Sequence, residues 1–286
     1  MRKWQSTLDS RIVAAGIGLH GGERVSIALT PADANSGITF AREGGDGIPA
    51  SYGLVTSTPL STRLSSGGAE IATVEHILAA CFVCGIDNAC IEVDAGEIPI
   101  MDGSALPFAD LILETGVRTI EVPLQHIRVL EPVAVEEGGK RVELAPFDGF
   151  AVDVEINFKD KVIGRQSFRA DMNEVNFLHE ILPARTFAFE RDVEAMRARG
   201  LALGGSLDNA IVVGEHDVLN PEGLRFKNEF VRHKCLDAIG DLALAGKPLL
   251  AYYRAYAPSH ALNNQLLRKL FSRPNAWKLE NGGDLG

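Results

Sequence analysis

Two short stretches of this chain share one pattern, and that repetition constrains the fold more than any other feature of the sequence. GGERVSIALTP (residues 21–31) and GGKRVELAP (138–146) each run Gly-Gly, a charged residue, Arg-Val, alternating strand-like residues and then proline. A glycine pair ahead of such alternation predicts a turn entering a β-strand. Each copy is followed by a second strand, Gly37–Phe40 or Phe150–Phe158. Each half then carries one strong helix, Ile71–Cys84 or Asn228–Ala245. The pattern predicts a duplicated α+β unit, with an N-terminal domain over residues 1–120 and a C-terminal domain over 121–286. The boundary falls near Val117–Gln125, and 286 residues are enough for two cores.

The second half holds an excursion that the first does not predict. Asn173–Leu182 reads as a helix, Ala184–Phe189 as a strand, Asp192–Arg199 as a helix ending at Gly200, and Ala210–Val213 as a strand. This gives a β-α-β insert at about residues 188–214. It carries more apolar residues than a connector needs, including Met196, Leu201, Leu203, Ile211 and Val213. Both a small satellite core and an apolar channel for a ligand chain fit that composition.

A formal net charge of −10 argues against a general binder of nucleic acid or anionic membranes. No apolar run reaches the roughly 20 residues needed to cross a bilayer. Ile12–Leu19 is broken by two glycines and preceded by Asp9 and Arg11, so it reads as a strand and turn, not a signal peptide. The expected location is cytoplasmic, and nothing in the chain calls for an obligate partner, so a monomer is expected. Cys81-Phe-Val-Cys84 has redox spacing but sits in an apolar helix with no second pair; with Cys90 and Cys235 these read as small buried hydrophobes.

The chemistry concentrates on two helices. In NEFVRHKCLDAIGDLALAG (228–246), with Asn228 placed to cap the start and Gly246 to end it, His233, Asp237 and Asp241 fall on one face at i, i+4 and i+8. Gly240 weakens that helix locally. A His and an Asp one turn apart suit a divalent metal, although alone the face also fits a polar surface. The first helix carries Glu75-His76, a pair shared with zinc peptidases, but Ala72 leaves the H-x-x-E-H pattern incomplete. Together His76, His233 and Asp237 make a two-His, one-carboxylate zinc set with a fourth position for water. Glu75 then stands beside that water as general base, and His260 sits where a catalytic acid is wanted. Asp241 can orient that imidazole, while Lys234 and Thr186 can donate to an oxyanion. His20, His126, His179 and His216 lack such company and read as ordinary loop or surface residues.

TVEHILAA, GIDNACIEVDAGEIPIMDGSA, ARTFAFERD, LGGSLDNAIVV, PEGLRFKNEFVRHKCLDAIGDL and SHALNNQLL, in that order, resemble the UDP-3-O-acyl-N-acetylglucosamine deacetylases. The resemblance runs from about Gly16 to about Trp277. It implies two related α+β domains, each a layered sheet packed on helices, with the active site at their interface. It implies hydrolysis of the 2-N-acetyl group of UDP-3-O-((R)-3-hydroxyacyl)-N-acetylglucosamine, the committed step of lipid A synthesis in Gram-negative bacteria. By motif position His76, His233 and Asp237 are the implied zinc ligands, with Fe2+ suited to the same set. Glu75 is the implied base and His260, supported by Asp241, the implied acid or charge stabiliser. Thr186 and Lys234 would polarise the acetamide carbonyl. Phe187 and Phe189 would lie near the sugar and nucleotide, and Leu201, Ile211 and Val213 would line the acyl-chain passage. His20 would approach the substrate. Pro59, in Ser57–Ser61, departs from the expected pattern and bears on the path of a loop that nears the site. A zinc amidase of another class and a metal-free scaffold are the competing readings.

Overall fold

A computed structural model describes residues 2–42, 45–172 and 176–284. The first half of the chain forms β1 (Trp4–Leu8), β2 (Ile12–Ile17), β3 (Arg24–Pro31), β4 (Ile38–Arg42) and β5 (Ile48–Pro49). A hairpin array, β6 (Val55–Ser57), β7 (Arg63–Ser66) and β8 (Ala69–Ala72), leads into α1 (Glu75–Cys84), β9 (Ala89–Val93) and α2 (Leu106–Thr115). The chain crosses through β10 (Val117–Pro123), which pairs with β1, into β11 (Gln125–Val129), β12 (Val133–Glu137), β13 (Lys140–Ala145), β14 (Phe150–Asn157) and β15 (Arg165–Asp171). Then come α3 (Phe177–Glu180), β16 (Phe187–Phe189), α4 (Glu190–Ala198), β17 (Ile211–Val213), α5 (Glu229–Ala243), β18 (Leu249–Tyr256), α6 (His260–Phe271) and β19 (Trp277–Asn281).

The repeated motif lands in matching places. The first sheet has the order β2-β3-β9-β4-β5, and β12-β13-β18-β14-β15 reproduces its pairing senses: antiparallel, antiparallel, parallel, antiparallel. The glycine-led strands are β3 and β13. The helix before each central strand is α1 or α5, and the helix after it is α2 or α6. The fold is α+β, with layered sheets packed on helices. One apolar core joins α1, α5 and the inner faces of both sheets, through Ile77, Leu78, Leu236, Ile239, Ile91 and Tyr253.

The two central helices pack against each other, and Gly240 explains how closely. A Cβ at position 240 would overlap the Glu75 carbonyl. The glycine that weakens α5 as an isolated helix is the residue that admits the α1 backbone.

Several boundaries move for identifiable reasons. The first helix begins at Glu75, not Ile71, because residues 69–72 pair with β7 and Thr73 then turns the chain at φ 60°. Asn228 does not cap α5 with its side chain; its Oδ1 accepts from Arg232 Nε at 2.8 Å. That helix ends at Ala243, short of Gly246. The excursion's helix starts two residues early, at Glu190. Of the helix expected over Asn173–Leu182, residues 173–175 lie outside the described residues and only Phe177–Glu180 is helical. Cys81 and Cys235 are buried, Cys84 and Cys90 half-buried, and all four are free.

Candidate active site

The first turn of α1 meets the polar face of α5 edge-on. Ligand atoms of His76, His233 and Asp237 all lie within 4.8 Å of one another, and all three residues are buried. Nε2 of His76 stands 3.7 Å and Nε2 of His233 3.4 Å from Asp237 Oδ1, with the two rings nearly perpendicular. His233 Nδ1 is 3.1 Å from the Ala184 carbonyl, which fixes the ring and leaves Nε2 facing Asp237. Burial lowers the His233 pKa to about 3, so the imidazole is neutral and able to bind metal. Burial alone would raise the pKa of Asp237, but His233, Lys234 and His76 outweigh it and hold the carboxyl well below its usual range. Its second oxygen is 2.7 Å from Lys234 Nζ. His76 Nδ1 is buried with no hydrogen-bond partner among the described residues. Two buried imidazoles converging on one carboxylate oxygen fit a divalent cation.

Beside this set, Glu75 is 2 % exposed. Its Oε2 accepts from the Thr62 backbone N–H at 3.1 Å, and Oε1 lies 3.8 Å from His260 Nε2. Burial raises the Glu75 pKa to about 6, against the pull of His260. His260 opens α6, and its Nδ1 is 2.8 Å from Asp241 Oδ2. Burial would depress this imidazole, yet Asp241 and Glu75 dominate together and raise it to about 10. Asp241 in turn receives Thr62 Oγ1 at 2.6 Å and Asn263 Nδ2 at 2.8 Å, and Tyr253 donates to Asn263 at 2.6 Å. A buried acidic group of pKa near neutrality thus faces a held imidazolium, the arrangement of an acid–base pair.

The remaining expected residues lie at graded distances from this centre. Phe187 makes an edge contact with the His233 ring at 6.1 Å, and Lys234 Nζ sits 5.5 Å from the Phe187 centroid. Thr186 is half-buried and held by backbone bonds to Gly103 and Ile211; its hydroxyl has no hydrogen-bond partner among the described residues. Phe189 packs on Phe158 and under Arg191. In the excursion β16 and β17 pair in parallel, and α4 between them has no buried residue. Ile211 and Val213 are 0 % and 2 % exposed, whereas Leu201 is half-buried and Leu203 49 % exposed. His126 departs from the loop-or-surface reading, being buried in β11, whereas His20 lies in a turn, half-buried, its Nδ1 accepting from Ala202 N at 3.4 Å. His179 and His216 are exposed.

Five supporting residues lay outside the site read from the sequence. Thr62 bridges Glu75 and Asp241, and Asn263 completes the Asp241 shell. Glu97 accepts from His20 N, Gly21 N and Thr73 Oγ1 at 2.9–3.1 Å, tying a loop of the first half to the residue that launches α1. Arg185 and Glu229, both at most 2 % exposed, form a buried pair at 2.9 Å that pins the 184–186 segment to the start of α5. The adjacency of these residues to recognised motifs was visible, but their partners are 13 to 179 residues away in sequence.

Comparison with known proteins agrees with this geometry. The family model described as LpxC, UDP-3-O-acyl N-acetylglycosamine deacetylase, matches residues 5–272. A protein of Anaeromyxobacter sp. (strain Fw109-5) is 48% identical over 281 residues, covering 98% of this chain and 92% of its own. Proteins of Acidithiobacillus ferrooxidans (strain ATCC 53993 / BNL-5-31) and Pseudomonas entomophila (strain L48) are each 48% identical, covering 96% of this chain and 92% of their own. All three are named UDP-3-O-acyl-N-acetylglucosamine deacetylase.

Proposed function

The chain belongs to the UDP-3-O-acyl-N-acetylglucosamine deacetylase family, and from that premise we propose that it works through zinc held by His76, His233 and Asp237, with Glu75 as base and His260 as acid. Its reaction is the hydrolytic deacetylation of UDP-3-O-acyl-N-acetylglucosamine in lipid A biosynthesis. The observation carrying the residue assignment is the buried His76–His233–Asp237 cluster, with Glu75 and the Asp241-held His260 beside it.

A divalent metal in this cluster supplies Lewis acidity, acidifying a water and polarising the acetamide carbonyl. Glu75, ionised above a pKa of about 6, takes the proton of the water that attacks the acetyl carbon. Thr186 and Lys234 donate to the oxygen on which negative charge develops. When the carbon–nitrogen bond breaks, the departing nitrogen takes a proton from imidazolium His260, which Asp241 keeps charged, or from Glu75. The products are acetate and the free-amine sugar nucleotide. Phe187 and Phe189 border the sugar and nucleotide, and Leu201, Ile211 and Val213 belong to the wall of the acyl passage. The exposed Leu203, the half-buried Leu201 and α4, which buries none of its residues, support an open apolar surface there, with Ile211 and Val213 packed in the core behind it.

The same reading divides the chain at residue 120 into two domains, supported by the matched strand orders, and has the enzyme a monomer in the cytoplasm. Among the described residues no helix is long and apolar enough to cross a membrane. The test is acetate release from UDP-3-O-(3-hydroxyacyl)-N-acetylglucosamine by purified protein, by chelated protein, and after one equivalent of Zn2+ or Fe2+ is returned. Activity lost and then restored by zinc is the expected result. Activity that survives full chelation would overturn the metal assignment, and restoration by iron alone would correct the metal.

A further inference from the structure

A crevice of about 550 Å³ opens between the two halves of the molecule, at the C-terminal ends of α1 and α5. It is separate from the active site: from His76 to Cys84 the α1 axis advances ~12 Å. Its wall is apolar, built from Leu78, Phe82, Phe150 and Met172, and the Phe82 and Phe150 rings meet edge-on at 5.0 Å. Most of its polar groups are already paired. Gln5 Nε2 donates to Asn35 at 2.9 Å, Asn88 Nδ2 donates to Gln5 at 3.1 Å, and Arg2 forks onto Asp87 at 2.7 and 2.8 Å.

Two groups are not. The His126 side chain is 4 % exposed, and its Nδ1 is buried with no partner among the described residues. Lys247, half-buried at the mouth, has no ion-pair or hydrogen-bond partner among the described residues. Both line the crevice, and the parallel pairing of β11 with β18 sets His126 level with Pro248, the neighbour of Lys247: Ile127 N donates to the Pro248 carbonyl at 2.9 Å. Burial first, and then the Arg2 guanidinium, lower the His126 pKa to about 4, so the ring is neutral with one N–H to give. A buried polar atom without a partner is costly unless something else pairs with it.

We propose that this crevice is a binding site for a small carboxylate with an apolar body. The carboxylate would take the Lys247 ammonium and the His126 N–H, while a ring or short chain packs on Leu78, Phe82 and Phe150. Charge-assisted bonds of this kind are the strong ones, and the volume is that of an ordinary small-molecule site. None of these residues takes part in the deacetylation assigned above.

Naphthalene-2-carboxylate is a suitable probe, titrated into the metal-loaded enzyme and followed by calorimetry and by the histidine Cε1–H resonances. The His126 resonance, identified by its loss in His126→Phe, is expected to move saturably with the probe. Lys247→Ala and His126→Phe are each expected to weaken binding about tenfold, and naphthalene-2-methanol to bind about tenfold less tightly than the carboxylate. Lys247→Ala lies at the half-exposed mouth and tests the proposal even if the buried substitution disturbs folding. Affinity unchanged in both variants would place the probe elsewhere, the acyl passage included, and overturn the proposal. So would a His126 resonance that stays still up to the solubility limit of the probe.

Discussion

Helices α1 and α5 hold equivalent positions, each ahead of the central strand of its sheet, yet they are loaded differently. The functional residues of α5 run along one face for two turns, His233, Asp237 and Asp241, so the helix itself sets their spacing. Those of α1, Glu75 and His76, are crowded into its first turn, where helical periodicity contributes nothing. Their placement depends on what surrounds that turn: Thr73 at φ 60°, Glu97 beneath it, Thr62 against the base and Gly240 opposite. One half of the site is held by local geometry and the other by tertiary contact. The sharpest way to separate them is chemical. Glu75→Ala is expected to cut turnover by about 10²–10⁴-fold while metal stays near one per chain, because the ligands of α5 and His76 are untouched. Loss of metal in parallel with turnover would show that Glu75 also builds the site.

The next effect breaks the contact between the helices. In Gly240→Ala the new methyl overlaps the Glu75 backbone, so α1 must retreat. Overpacking of this kind costs about 1–3 kcal/mol, and a shift of the base by an ångström costs about a hundredfold in rate. Thermal unfolding and metal affinity are both expected to fall. Wild-type metal affinity in this variant would mean that the two halves of the ligand set are not held in register at position 240.

The pH profile compares the two helices through their partners. As the proposed base, Glu75, with its pKa raised to about 6, must lose its proton, so activity is expected to rise through that pH. As the proposed acid, His260, raised to about 10, must keep its proton, so activity is expected to fall through that pH. Asp241→Asn removes the largest charge sustaining the imidazolium. The alkaline limb is therefore expected to move to lower pH, with the acid limb nearly fixed and a rate loss of about tenfold at neutral pH. An alkaline limb that does not move would separate it from His260.

The same contrast explains what could be read from the chain alone. The shared face of His233, Asp237 and Asp241 was legible because a helix converts spacing into a face. The strand over Phe150–Phe158 was legible to within one residue because alternation bounded by turns leaves little freedom. The start of α1 was misread because Ile71 and Ala72 suit a helix and a strand alike, and pairing with β7 decided for the strand. Gly240 was read as a weakness because its value is an absence of atoms facing a residue far away in sequence. His126 was read as a loop or surface histidine because β11 gives no sign that both β18 and β19 flank it.

The smallest expected effect concerns Glu97, and it tests whether tertiary contacts position α1 or merely stabilise it. As a carboxylate Glu97 only accepts, and it meets donors on every side: two backbone N–H groups from residues 20 and 21 and the Thr73 hydroxyl. In Glu97→Ala all of these bonds are lost. With the Thr73 bond gone, a β-branched residue at φ 60° loses what holds it there, and such strain is worth about 1–3 kcal/mol. Thr73 then relaxes, and Glu75, two residues on, swings from the acetyl carbon while His233 and Asp237 stay in place on α5. A fall of several-fold in kcat is therefore expected, with KM and metal content nearly unchanged. A structural role alone would lower the melting temperature and leave kcat of the folded enzyme intact, and that result would remove Glu97 from the positioning of the base.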